Sequence, residues 1–263
     1  MSIGPRLLTY VLRDVVRSRW IVATGAFFLL ATDALLRFGA GGGASVLAVG
    51  SLVLLVVPLL CILFGTIYLH HAREFTGLLL AQPVTRGQLF MAQLAGMAIP
   101  MTLAIVAGLT IPFAVHGIPD GSTGASLTSV VALAGTLSLV FLSLACVVAV
   151  GFQDRVTGLA AAVGLWLLFT VIHDGAVLLV ILVFSEYPLE PAVLAMMAAN
   201  PVDLARVLML LQFDASALMG YTGAVLQKTF TGREGYALAT AALAAWVAVP
   251  GLLAWRLFRR KDL

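Results

Sequence analysis

Two adjacent ionisable residues, His173 and Asp174, stand inside a long apolar run that has no other charge between Arg155 and Glu186. Histidine exchanges protons near neutral pH, and a carboxylate inside a membrane is costly unless it is paired or hydrated. The pair therefore marks a candidate functional site, either on a translocation path or as the base of an intramembrane enzyme. The structural alternative is a short or broken span that leaves both residues at the outer interface.

Other residue types that carry chemistry lack the spacing that catalysis or metal binding needs. Ser185 has no Gly-x-Ser-x-Gly setting, and no His-Glu-x-x-His motif occurs. The adjacent His70 and His71 would point in different directions on a helix and would not easily chelate one ion. Cys61 and Cys146 fall in apolar stretches without a CxxC spacing, so both should be buried as small apolar residues. We expect no catalytic residue, no metal site and no cofactor on this chain.

The composition sets the class of protein in which these residues act. The 263-residue chain is 62% hydrophobic and 10% charged, and its mean hydropathy is +1.09. Soluble domains carry roughly 25% charged residues, so this is an integral membrane protein. Six uncharged stretches are long enough for a helix of about 20 residues to cross the bilayer. We predict one all-α polytopic domain, residues 1–263, with spans at 20–38, 46–69, 90–115, 127–150, 157–184 and 236–255.

The distribution of basic residues predicts the orientation of the chain. An even number of spans puts both termini on one side of the membrane. Four basic residues, Arg37, Arg206, Lys228 and Arg233, fall on the other side, which leaves eleven of the fifteen with the termini. The positive-inside rule then makes both termini cytoplasmic. The net charge of +3 reflects this topology and is not evidence for nucleic-acid binding.

Two segments on the predicted cytoplasmic side are amphipathic. Residues 7–20, LLTYVLRDVVRSRW, alternate apolar and charged positions at helical spacing, which predicts an elbow helix on the inner membrane surface. Residues 70–83, between the second and third spans, combine an apolar face with charged and polar residues and end at Pro83. A plain chain reversal needs only a few residues, so this second helix should present a surface to a partner.

The residues of the second segment resemble a known family. Glu74, Gly77, a pair of leucines, Pro83 and Arg86 follow the order Glu-x-x-Gly-Thr-Leu-x-x-Leu-Leu-x-x-Pro-x-x-Arg of the permeases of ABC-2 type transporters. Two departures are a reversed Thr-Gly order and Gln93 in place of a frequent lysine. The resemblance implies six spans, cytoplasmic termini and a coupling helix that docks on a separate ATPase. It makes Glu74, Gly77, Pro83 and Arg86 the expected coupling residues.

The segment between the fifth and sixth spans, residues 185–235, carries a second resemblance. Asn200 suits an N-cap, Pro201 the first helical position and Asp203 the first turn, so we predict an extracytoplasmic interfacial helix from Pro201 to about Leu211. The spacing of Asn200, Pro201, Asp203 and Arg206, together with the end WVAVPGLLAWRLFRRKDL, is similar to the permeases of nitrous-oxide reductase maturation transporters. Four methionines of this segment suit either Cu(I) ligation or apolar packing: Met196, Met197, Met209 and Met219.

That resemblance implies a half-transporter of a bacterial inner membrane. The permease would pair with a second copy, bind two ATPase subunits that hold ATP and Mg²⁺, and contact membrane lipid. A periplasmic β-helical protein would sit on a platform that contains Asn200, Pro201, Asp203 and Arg206. The expected role is movement of a sulfur species for assembly of a copper-sulfur centre, with His173 and Asp174 on the path. A general ABC-2 exporter and a passive scaffold remain alternatives.

The chain has no ATPase motif of its own. A Walker A loop needs Gly-x-x-x-x-Gly-Lys-[Ser/Thr]. The nearest run, from Gly223 to Thr229, has Gln227 in place of the second glycine and falls on the predicted external side. We therefore expect this subunit to depend on a separate ATPase and not to be an enzyme.

Overall fold

The computed structural model describes residues 3–39, 42–73, 76, 85–117, 121–184, 190–212 and 233–260, and within these ranges the regular structure is helical, with no strand. Its helices, in chain order, are α1 (Ile3–Val16), α2 (Arg19–Phe38), α3 (Gly42–His71), α4 (Arg86–His116), α5 (Gly121–Gly151), α6 (Arg155–Leu167), a π-helical segment (Leu168–Ile172), α7 (His173–Val183), α8 (Glu190–Ala198), α9 (Pro201–Gln212) and α10 (Arg233–Arg260).

Six helices of the described chain are long and apolar enough to cross a membrane, as predicted: α2, α3, α4, α5, the run from α6 to α7, and α10. Each contains the predicted span, except that α7 ends one residue before residue 184. Several extend past it because a helix continues its backbone hydrogen bonds into the interfacial region. The pair α8 and α9 is bent by 110° and would count as a seventh span only if it crossed as one unit.

The centre of the bundle is formed by α3 and α5. At Gly65 of α3, a Cβ would lie 2.7 Å from the Cβ of Ala145 of α5, so only glycine allows this close approach. A second close crossing joins α2 and α4, where Gly108 faces the backbone of Gly25. Helix α10 packs on α5 from another side. Small residues thus allow the close packing of α3 on α5 and of α2 on α4.

A capping box fixes the start of α4, and α1 packs against that helix. Thr85 and Gln88 form a reciprocal capping box at the start of α4, with the Thr85 hydroxyl accepting from the Gln88 N–H at 3.3 Å. Helix α1 buries Val11, which packs on Gly96 of α4, and exposes Arg13 and Asp14. The N-terminal segment is therefore an amphipathic helix against α4, and its location on the membrane surface stays a prediction.

The fifth span begins at a capped end and is interrupted inside. Asp154 accepts hydrogen bonds from the backbone N–H and the hydroxyl of Thr157, both at 2.8 Å. These bonds lower the pKa of the Asp154 carboxyl from its ordinary value. The interruption is the π-helical segment that ends directly before His173. The segment Leu168–Ile172 contains no glycine or proline that would indicate an irregular turn. The sequence therefore predicted one continuous helix here.

Candidate functional site

Helices α8 and α9 form a hairpin whose turn reaches the middle of the bundle. The side-chain amide of Asn200 donates to the carbonyl of Phe169 at 2.8 Å, and the indole of Trp246 donates to the carbonyl of Ala198 at 3.0 Å. Phe169 lies 14 residues from both Arg155 and Val183, the ends of its span. Trp246 lies near the middle of α10. The turn between α8 and α9 is therefore at the depth of the span centres.

This depth differs from the interfacial location predicted for the helix that starts at Pro201. The helix itself is found, from Pro201 to Gln212, but its apolar residues are buried on several faces: Val202, Leu204, Ala205, Val207, Leu208 and Met209. An interfacial helix keeps one face in water, whereas a helix buried on several faces packs inside a bundle. The sequence pattern gave the start of the helix correctly and its depth wrongly, because the capping signal carries no information on depth.

Asn200 organises the turn. It is fully buried, and its side-chain oxygen accepts from the backbone N–H of Val202 at 2.9 Å, as an N-cap does. Its amide nitrogen also donates to Asp203 at 3.0 Å. One side chain therefore satisfies the start of α9 and joins it to the fifth span, which is the way buried turn backbone is tolerated inside a membrane.

The π-helical segment supplies the acceptor for Asn200. The backbone N–H of His173 bonds to the carbonyl of Leu168, five residues back, where an α-helix would use Phe169. The carbonyl of Phe169 instead accepts from Asn200. The π-helical segment thus offers a backbone carbonyl, and the hairpin turn supplies the N–H donor that bonds to it.

Four ionisable side chains meet beside this turn. The Nδ1 atom of His173 lies 2.9 Å from a carboxylate oxygen of Asp203. Arg206 lies 2.9 Å from Asp174 and 3.1 Å from Asp203. We call Asn200, His173, Asp174, Asp203 and Arg206 the polar cluster. It unites the predicted path residues with three of the four residues predicted for an external platform, and Asp174 has Arg206 as its partner.

The side chains of the polar cluster differ in their access to solvent. That of Asp203 is 6% exposed, while those of Arg206 and Asp174 are 28% and 40% exposed. Among the described residues, neither Nδ1 of His173 nor Oδ1 of Asp203 has an aligned hydrogen-bond partner, so their close contacts are electrostatic. These contacts join His173 and Asp174 of α7 to Asp203 and Arg206 of α9, so the cluster ties the two helices together.

The same residues offer ligand atoms to a cation, which the sequence did not predict. Nitrogen or oxygen atoms of His173, Asp174 and Asp203 lie within 4.8 Å of one another. The guanidinium of Arg206 already contacts both carboxylates and supplies the positive charge that an ion would bring. This donor set therefore fits an internal ion-pair network better than a metal centre.

A cavity of about 280 Å³ adjoins the polar cluster. Its walls come from α3, from Thr170 of the π-helical segment and from α9, and Arg206 is the charged residue among mostly apolar lining side chains. Ser51 of α3 adds a hydroxyl. A solute in this space would be in contact with the residue that balances both carboxylates.

Of the predicted coupling segment, residues 70–83, the structure describes residues 70–73 and Thr76. Glu74, Gly77 and Pro83 lie outside the described residues, so their role stays a prediction. Arg86 is the first residue of α4 and donates to the carbonyl of Arg259 at 3.0 Å. Arg73 donates to the carbonyls of Ala149, Phe152 and Gln153 at the end of α5. The sequence gave no signal for this contact, which ties the segment to α5.

The two departures from the family pattern contact one another. The amide of Gln93 donates to the hydroxyl of Thr76 at 2.7 Å, and both side chains are buried. Gln93 is the position where a lysine was expected, and Thr76 belongs to the reversed Thr-Gly pair. A neutral donor on α4 thus holds the threonine hydroxyl without burying a charge.

The sulfur-containing residues are packed in the described part of the chain. Cys61 and Cys146 are free and buried, as predicted. Met197 and Met209 are buried, and Met209 packs against Gly50 of α3. These two methionines therefore pack inside the bundle, while Met219 lies outside the described residues and the choice between packing and Cu(I) ligation stays a prediction.

Comparisons with known proteins identify the family of the chain. A family model described as ABC-2 family transporter protein matches residues 52–263. The chain is 28% identical to the probable ABC transporter permease protein NosY of Stutzerimonas stutzeri over 95% of each chain. It is 30% identical to the protein of the same name from Pseudomonas aeruginosa over 96% of each chain. The chain therefore belongs to the ABC-2 transporter family and is a membrane permease of an ABC transporter.

Proposed function

We propose that this permease works in a transporter that supports maturation of nitrous-oxide reductase. The observation that carries the proposal is the likeness to two NosY permeases along 95% or more of each chain, hairpin region included. The cargo would be a sulfur species for the copper-sulfur centre. Two ATPase subunits that bind ATP and Mg²⁺, a second permease copy and a periplasmic β-helical protein would complete the assembly in a bacterial inner membrane.

In this proposal the polar cluster is a latch between the hairpin and the fifth span. Its ion pairs link α9 to α7, and its hydrogen bond from Asn200 links the hairpin turn to the π-helical segment. π-Helical turns are rare and are frequently found at functional sites. Movement of α7 relative to α9 would separate Asp174 from Arg206 and change access to the adjoining cavity.

The coupling end of the proposal rests on Arg73 and Arg86. Arg73 contacts the end of α5, and Arg86 contacts the end of α10, so displacement of the segment between them would reach both helices. ATP-driven motion of a docked ATPase would enter the bundle there. We expect Glu74→Lys to lower ATPase stimulation while the permease still inserts, and normal stimulation in that variant would contradict this docking surface.

The function is tested by Asp174→Asn in a strain that lacks its own permease of this type. We expect the complex to assemble with the ATPase and hydrolyse ATP, while nitrous-oxide reductase stays without its copper-sulfur centre. Arg37→Gln is the matched control, because Arg37 forms an exposed i,i+4 pair with Asp33. A mature client in the Asp174→Asn strain would contradict the latch. Failure of the unmodified chain to mature the client, despite a working ATPase complex, would favour a general ABC-2 exporter.

A further inference from the structure

An open apolar groove runs along the outside of the bundle between α4, α5 and α10. Its volume is about 600 Å³, and its walls include Gly87, Phe90, Leu94, Leu139, Gly251 and Trp255. The absence of side chains at Gly87 and Gly251 gives the groove its depth. A Cβ on Gly251 would stand 3.7 Å from the nearest atom, the hydroxyl oxygen of Ser143, so there is room for a larger side chain.

The groove begins at the basic end of α10 and extends toward the middle of the bundle. Trp255 and Val247 both line it and are eight residues apart, which corresponds to a length of about 12 Å on a helix. Gly87, at the start of α4, lies at the same end as Trp255, because the indole nitrogen would be 3.7 Å from a Cβ on Gly87. The groove therefore lies along the membrane normal within one leaflet.

The mouth of the groove is positively charged. Arg256 and Arg259 follow Leu252 and Trp255 by four residues each, so they continue the groove-lining face of α10 by one turn. The guanidinium of Arg259 lies over the ring of Trp255, 5.0 Å from its centroid. Helix α4 contains no acidic residue, and the acidic residue of α10, Glu234, lies at the opposite end of that helix from Arg256 and Arg259. These two helices therefore do not neutralise the positive charge at the mouth.

The indole of Trp255 adds a hydrogen-bond donor at the same level. Among the described residues, no acceptor contacts its Nε1 atom. Tryptophan at this depth places its ring beside acyl chains and its N–H toward the head groups. An apolar groove, an indole donor that has no acceptor in the described part of the chain, and two guanidinium groups follow one another along a single direction. This is the order of chemical groups in a phospholipid.

We propose that this groove is a binding site for an anionic phospholipid of the leaflet that contains the C-terminal end of α10. One acyl chain lies in the groove, and Arg256 and Arg259 hold the phosphate, for which guanidinium is a bidentate partner. The charge at the mouth selects an anionic over a zwitterionic head group. It also disfavours a second copy centred on the mouth, because a twofold axis there would bring the same arginines together.

Brominated lipids provide the test, since bromine quenches a nearby tryptophan. The full-length permease in phosphatidylcholine nanodiscs is titrated with brominated phosphatidylglycerol or brominated phosphatidylcholine, and the Trp255 contribution is obtained by subtracting Trp255→Phe. We expect half-quenching at a mole fraction about fivefold lower for phosphatidylglycerol than for phosphatidylcholine. Gly251→Leu fills the groove and should remove the Trp255 contribution.

Variants at the mouth distinguish a specific lipid site from a general attraction of anionic lipid to the basic residues of the protein. Arg256→Gln with Arg259→Gln should abolish the preference for phosphatidylglycerol, whereas the two lysine substitutions should retain part of it. Arg13→Gln with Arg17→Gln removes the same charge from α1 and the residue after it, and should leave the preference unchanged. Equal quenching by both lipids, persistence of the preference in the folded Gly251→Leu variant, or no quenching because another chain covers the groove would each overturn the proposal.

Discussion

At the scale of single residues, Arg206 determines the charge balance of the polar cluster. It contacts both Asp174 and Asp203, which otherwise would be two like charges close together beside the hairpin turn. Breaking a buried ion pair by removing one partner is costly because the other charge is left unpaired. Arg206 therefore contributes more to stability than its partly exposed position suggests.

We predict that Arg206→Met lowers stability by about 2 kcal/mol, less than a fully buried pair because Asp174 keeps access to solvent. Thermal unfolding of the purified protein in detergent measures the change. Adding Asp203→Asn to that variant should recover part of the loss, since one uncompensated charge disappears. Arg37→Met is the control, because its side chain is 59% exposed and its pair with Asp33 should contribute little. Equal losses of stability in Arg206→Met and Arg37→Met would show that Arg206 contributes no more than an exposed ion pair does.

The sequence identified members of this cluster but not their association. His173 and Asp174 stood out because charge is rare in a span, and Asn200 stood out as a helix cap. Arg206 is 32 residues away from Asp174 in the chain and was predicted on an external surface. Nothing in local composition tells whether a polar helix end lies above the bilayer or inside it, so the contact required the tertiary structure.

At the scale of helices, glycines set how closely neighbouring spans approach. A Cβ on Gly108 would lie 2.8 Å from the carbonyl oxygen of Gly25 and 2.8 Å from the Cβ of Phe28. These are atoms that cannot move aside without moving α2. A Cβ on Gly25 would instead meet Ala104 at 3.6 Å, an ordinary contact. At this crossing, Gly108 cannot be replaced by a larger residue without moving α2, whereas Gly25 has room for a methyl group.

We predict that Gly108→Ala destabilises the protein by about 2 kcal/mol, because α2 and α4 have to separate. Gly25→Ala makes the matched comparison and should be neutral or slightly stabilising, since alanine favours helix by up to about 1 kcal/mol over glycine. Thermal unfolding in detergent, with expression level as a second measure, distinguishes them. A harmless Gly108→Ala would contradict the packing of α2 on α4.

The spans were predictable because charge and length alone define them, whereas the irregularities inside them were not. Residues 168–172 consist of leucine, phenylalanine, threonine, valine and isoleucine, a composition that suits a regular span equally well. The π-helical turn is stabilised by the hydrogen bond that its Phe169 carbonyl accepts from Asn200, a residue far along the chain. An irregularity whose benefit is tertiary leaves no local sequence signal.

At the scale of the whole molecule, the topology predicts which surfaces face the cytoplasm. We expect a membrane-impermeant maleimide to label Phe38→Cys, at the exposed end of α2, in intact spheroplasts. Val16→Cys, at the exposed end of α1, should react only after permeabilisation. The buried Cys61 and Cys146 should contribute little background. Labelling of Val16→Cys in intact spheroplasts would reverse the orientation derived from the basic residues.

During synthesis, the hairpin turn leaves the ribosome before the tryptophan that completes it. The carbonyl of Ala198 and the indole of Trp246 are 48 residues apart. Until α10 has entered the membrane, that carbonyl lacks its partner in a region that offers little water. The hairpin therefore reaches its final depth late in biogenesis, after the last span is inserted. A nascent chain arrested before Trp246 should hold α8 and α9 nearer the surface, where proteases reach them.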